Sequence, residues 1–102
     1  MTNYKLIVTI CNHGYADDIM SVAKKAGARG GTVMRGRSTA IHEETKFFGI
    51  TIHPEKDLIL IVTTKDGCVP IMDAINKAHG VGKEAHALSF SIPIDDAIGF
   101  NF

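Results

Sequence analysis

Three arginines, Arg29, Arg35 and Arg37, fall within GARGGTVMRGRSTAIHEETKFFG, residues 27–49, and the chain of 102 residues has no others. The same segment holds five of its ten glycines. Arg35 and Arg37 flank Gly36 and are followed by Ser38. That pattern offers two planar guanidinium forks suited to phosphate or carboxylate, a hydroxyl, and a backbone position that a ligand can approach closely. The chemistry is anion binding. The alternative is a solvated loop whose arginines pair with Glu43 and Glu44. A second polar turn, HGVGKEAH at residues 79–86, presents Gly80, Gly82 and Lys83, which could hold an anion with backbone N–H groups and one ammonium. It is not a P-loop, because Lys77 stands five residues before Gly82 and Glu84 stands where Ser or Thr is required. Its plain alternative is a simple helix-to-strand connection.

The other reactive side chains form weaker patterns. His42-Glu43-Glu44 is not HExxH, since Lys46 occupies the second histidine position. His42 either joins ligands from other subunits or is solvated, and no metal centre is assigned. His13 is expected to hydrogen-bond locally and His79 to lie at a helix C-terminus, where its cation is favoured. His86 either stacks on a base or faces solvent. Asp95 and Asp96 are an acid–base pair or, as favoured here, the capping residues of a short terminal helix. Cys11 lies close to His13, but no Cys–His catalytic pair is assigned. Cys11 and Cys68, far apart, read as buried reduced thiols of a cytoplasmic protein. With no nucleophile–base constellation, a non-enzyme is expected.

Periodicity shows the elements that must position these residues. KLIVTICN (5–12) and DLILIVTT (57–64) are β-rich runs 52 residues apart. Each precedes a helical pattern: Ile19, Val22, Ala23 and Ala26, then Ile71, Ala74, Ile75 and Ala78. Asp17 and Asp18 begin the first helix, Lys24 and Lys25 end it, and Gly27 suits its left-handed stop. Pro70 fits the first turn of the second helix and Gly80 its end. Extended segments follow each helix, GTVMRGR (31–37) and AHALSFSI (85–92), the latter ended by Pro93. FFGITI (47–52) also reads as extended and leads through His53-Pro54-Glu55-Lys56 into the next strand as a hairpin. Residues 36–46 are read as a long mobile loop, the kind of segment that carries function. The order is that of an α+β, ferredoxin-like βαββαβ fold, an antiparallel sheet with two helices on one face, in a single domain, 1–102.

Eleven acids balance eleven bases. That charge excludes the basic field of a nucleic-acid binder. MTNYKLIVTIC lacks the basic start and longer apolar stretch of a signal peptide, and no apolar run approaches the roughly 20 residues of a membrane span. Leu58 to Val62 is apolar at every position, so both sheet faces need cover, although helices roof only one. A homo-oligomer is expected.

The succession GTVMRGRST, FFGITIHPEKDLILIVTTKD, AINKAHGVGK and FSIPIDDAIGF resembles the PII signal-transduction superfamily, in its short PII-like branch, over residues 4–100. The resemblance rests on order and spacing: GGTV after the first helix, Pro54 before the third core strand, and Phe90-x-x-Pro93 at the end. It implies a homotrimer with sheets lining the centre and an adenine nucleotide (AMP, ADP or ATP) in the inter-subunit cleft. It also implies regulation of a target protein, a membrane transporter being one such class, through the long loop. On the matching positions it assigns Arg35, Gly36, Arg37 and Ser38 to the loop base and Gly80, Gly82 and Lys83 to the phosphate turn. Ala85-His86-Ala87 departs from the glycine-acid-glycine usual there. The chain contains no glutamine, and residues 36–46 contain no tyrosine, so neither 2-oxoglutarate sensing nor loop uridylylation is expected. The alternative is a metal-binding trimer of the divalent-cation-tolerance (CutA) type, which shares this plan and would use His42.

Overall fold

The computed structural model of the chain describes residues 3–39, 45–52 and 54–100. Its elements are β1 (Tyr4–Asn12), α1 (Ala16–Lys25), β2 (Thr32–Arg37), β3 (Thr45–Phe47), β4 (Ile50–Ile52), β5 (Glu55–Thr64), α2 (Lys65–His79) and β6 (Leu88–Pro93). The main sheet is antiparallel in the order β2-β5-β1-β6, and β3 and β4 form a separate ribbon. This is the expected βαββαβ plan.

Strand alternation divides the apolar runs between two faces. Ile7, Cys11, Ile59 and Ile61 point toward the helices and are buried against Ile19, Ala23, Ile71 and Ile75. Their neighbours Leu6, Val8, Ile10, Leu58, Leu60 and Val62 share the opposite face through the pairs Leu6↔Val62, Val8↔Leu60 and Ile10↔Leu58. Met34, Leu88, Phe90 and Ile92 extend that second face across the outer strands. It carries no helix, and Phe90 and Ile92 are 42% and 45% exposed there.

The first helix ends as its sequence predicts. Gly27 takes φ +118. The Gly27 and Ala28 N–H groups donate to Lys24 and Ala23 at 3.1 and 2.9 Å, the two bonds of a Schellman stop.

Five expectations about elements need correction. α2 begins at Lys65 rather than at Pro70. Thr64 caps it, its hydroxyl accepting the Gly67 N–H at 3.1 Å, and Pro70 therefore lies inside the helix. The hairpin turn falls at Phe48-Gly49 rather than at 53–56. Both residues have positive φ, 51° and 78°, which matches a two-residue turn to the twist of its strands. β6 starts at Leu88, because Ala85 and Ala87 are buried in the preceding turn. No helix follows Pro93 among the described residues. A run as short as IDDAIG cannot nucleate one without packing. Finally, the long polar loop is shorter at both ends, since Gly36 and Arg37 complete β2 and Thr45 opens β3. Residues 40–44, with His42, Glu43 and Glu44, lie outside the described residues. At its base the Ser38 N–H donates to the Pro54 carbonyl at 2.9 Å.

Candidate functional site

Alternation along β2 separates Arg35 from the glycine that follows it. Arg35 pairs with Asp57 and Gly36 with Lys56, so Arg35 faces the helix layer and Gly36 the bare face. A Cβ on Gly36 would lie 2.8 Å from Leu58 Cδ1, so a glycine keeps that corner of the face open.

Arg35 belongs to a buried-carboxylate cluster. Its Nη2 donates to His13 Nε2 at 3.2 Å, which makes His13 the Nδ1–H tautomer, and Nδ1 donates to Asp57 Oδ1 at 2.8 Å. The Gly14 N–H donates to Asp57 Oδ2 at 3.0 Å. Glu55 Oε2 lies 3.9 Å from both Arg35 Nη1 and His13 Nε2. Burial pushes the Asp57 carboxyl up, but the His13 and Gly14 hydrogen bonds and the charge of Arg35 outweigh it and hold the group below its ordinary value. His13 is thus tied across the sheet to β5 rather than locally. This cluster borders a cavity of about 360 Å³ that also includes Asp17, so both signs of charge meet there.

A larger cavity of about 590 Å³ opens at one end of the bare face. Ile10, Leu58, Val81 and Leu88 give it apolar walls, and Gly36, Arg37 and Ser38 form its β2 side. Lys56 and His86 complete its polar lining. The chain folds locally to put these groups together. Asn12, the last residue of β1, donates its backbone N–H to Ala85 and its Nδ2 to the Glu84 carbonyl, both at 2.9 Å. Lys56 Nζ donates to Asn12 Oδ1 at 2.8 Å. One asparagine therefore fixes both the turn after α2 and the lysine on β5. The Tyr15 hydroxyl donates to Glu84 Oε2 at 2.8 Å, and that bond raises the Tyr15 pKa.

Of the residues expected at an anion site, Gly36, Arg37 and Ser38 meet at the large cavity, and Arg35 sits on the other face. Gly80, Gly82 and Lys83 lie in the turn that supplies Val81 and His86 but do not line the cavity themselves. Gly80 serves the helix end, where a Cβ would collide with the Asn76 carbonyl. Gly82 takes φ +86, and the Lys83 N–H closes the turn on the Gly80 carbonyl at 3.1 Å. Sequence reasoning missed Lys56, whose signal was its period-two place beside Leu58 on the bare face. It also missed Asn12 and Asp57, whose roles depend on strand register. His42 lies outside the described residues, and among the described residues no group of three His, Cys, Asp or Glu side chains could hold a metal ion. No described helix is long and apolar enough to cross a membrane.

These features, a four-stranded antiparallel sheet with two helices on one face and a βαββαβ order, define a PII-like fold. The crystal structure of Arabidopsis thaliana PII bound to citrate is similar to this chain, with a TM-score of 0.69 and 21% sequence identity over 97% of this chain and 82% of that one. No family model matches the chain, and no curated protein matches it.

Proposed function

We propose that this chain is a PII-like regulatory protein rather than an enzyme, that it assembles through its bare sheet face as a homotrimer, and that it binds an adenine nucleotide in the 590 Å³ cavity. The observation that carries this reading is the cavity's composition: apolar walls wide enough for a base, with Arg37, Ser38, Lys56 and His86 at its polar side. Its position supports an inter-subunit site, because it opens at the end of the face that a second copy would cover. Burying the exposed Met34, Leu88, Phe90 and Ile92 stabilises an assembly by roughly 1.5–3 kcal/mol for each side chain fully covered. Ser38 joins the cavity directly to the segment that leaves the sheet, so occupancy would shift the conformers of residues 36–46 and their affinity for a target protein. A membrane transporter is one class of target, and a cytoplasmic location fits that role. The Arabidopsis thaliana PII structure is that of a protein bound to citrate, so citrate belongs in the same ligand panel.

Isothermal titration against AMP, ADP, ATP, cyclic AMP and citrate tests the proposal. At least one nucleotide is expected to bind, and Arg37→Ala to weaken it about tenfold, the loss of one charged hydrogen bond. Silence from every nucleotide would remove the sensing role.

A further inference from the structure

The large cavity gathers nitrogen donors from three elements. Arg37 comes from β2, Lys56 from β5 and His86 from the turn after α2, and no carboxylate lines the cavity among the described residues. Among the described residues, the acids of the adjoining segments are engaged elsewhere. Glu84 accepts the Tyr15 hydroxyl, and Asp57 and Glu55 lie with His13 and Arg35 on the helix side. A divalent cation bridging a phosphate to protein needs hard oxygen ligands, usually carboxylates, whereas cationic side chains repel it.

Two of the three groups are held where an anion would meet them. Lys56 is aimed by Asn12, at the foot of the turn that carries His86. His86 takes φ 48, a left-handed conformation fixed by its N–H bond to the Lys83 carbonyl at 3.1 Å and by the Asn12 bond to Ala85. The charged groups around His86 are Arg37 and Lys56 across the cavity and Lys83 on its own turn, all cations, with Glu84 tied to Tyr15. Resting on the nucleotide-site reading above, we propose that this cavity takes a multiply charged anion free of any divalent metal, with Lys56 joining Arg37 to supply the counter-charge a metal would bring and His86 offering a ring N–H.

The test titrates the full chain with ADP and with tripolyphosphate, each in EDTA and in excess Mg²⁺, for the parent, Lys56→Ala, Lys56→Arg, His86→Asn and Arg37→Ala. Asparagine tolerates the left-handed backbone at position 86. ADP is expected to bind at least as tightly in EDTA as in Mg²⁺. Lys56→Ala weakens it about tenfold and Lys56→Arg restores it, which separates lost charge from lost folding. His86→Asn is expected to weaken ADP in both media, since His86 lines the cavity. An absolute need for Mg²⁺, or full affinity in either His86→Asn or Lys56→Ala, overturns the inference and leaves the nucleotide reading standing. Tripolyphosphate binding without ADP binding supports the metal-free anion site and overturns the adenine assignment. No binding of either anion in either medium overturns both.

Discussion

Asp57 lies on the helix side of β5 with its side chain 7% exposed, and its charge survives there because His13 and the Gly14 N–H each donate to it. Its pKa is lowered on folding, so the folded state binds a proton less readily than the unfolded chain. The stability it contributes is therefore fully present above the unfolded value of about 3.9 and is lost as pH falls through the lower folded value. Denaturant melts of the parent and Asp57→Asn should show the parent losing more stability than the variant below about pH 4. At neutral pH, His13→Ala should cost about 1.5–3 kcal/mol, since it strips a partner from a buried carboxylate. Arg35→Ala is expected to lower stability by less and to leave ADP affinity unchanged, in contrast to Arg37→Ala, because Arg35 faces away from the cavity. Cys11, next to Asp57, gives an independent check. Burial first, and the Asp57 charge second, push its thiol up to about 11. Cys11 and Cys68 are both buried, so maleimide at neutral pH should label neither until the chain unfolds.

At the scale of elements, α2 is set by its cap. Thr64→Ala removes the hydroxyl that holds the Gly67 N–H and should cost about 1 kcal/mol, read as a lower thermal midpoint. Pro70 lacks an N–H for the turn it sits in, so Pro70→Ala should raise the midpoint, by about 1–2 kcal/mol after the loss of proline's stiffening of the unfolded chain. The sequence misled on this point because proline's preference for a first turn outweighed the weaker signal of Thr64-Lys65-Asp66. The four core strands and both helices were legible because each has a strong hydrophobic period. The Phe48-Gly49 turn was not, since a bulky residue at positive φ contradicts its local preference. Ala85 and Ala87 read as strand but serve as plugs in a turn, a role set by packing against distant residues.

At the scale of the whole molecule, the bare face governs behaviour. Phe90→Asp puts a charge on an exposed position of that face and should leave the subunit folded. Sedimentation should show an oligomer for the parent and a lone subunit for the variant, with a melting temperature that depends on concentration only in the parent. This face was visible in the unbroken apolar run of β5. The cavity at its end was half visible. Gly36, Arg37 and Ser38 are adjacent in sequence and announced themselves, whereas Lys56, Asn12 and His86 reach the same place only through strand pairing and a turn closed by an asparagine.

The hydrogen bond from Ser38 to Pro54 closes a narrow doorway through which the chain leaves the main sheet and rejoins it. Loop-closure entropy changes only slowly with the number of residues between two such closing positions. Changing the length of that interval therefore costs little in closure entropy, which makes the Ser38–Pro54 seam a natural point at which to insert a foreign peptide into the main sheet.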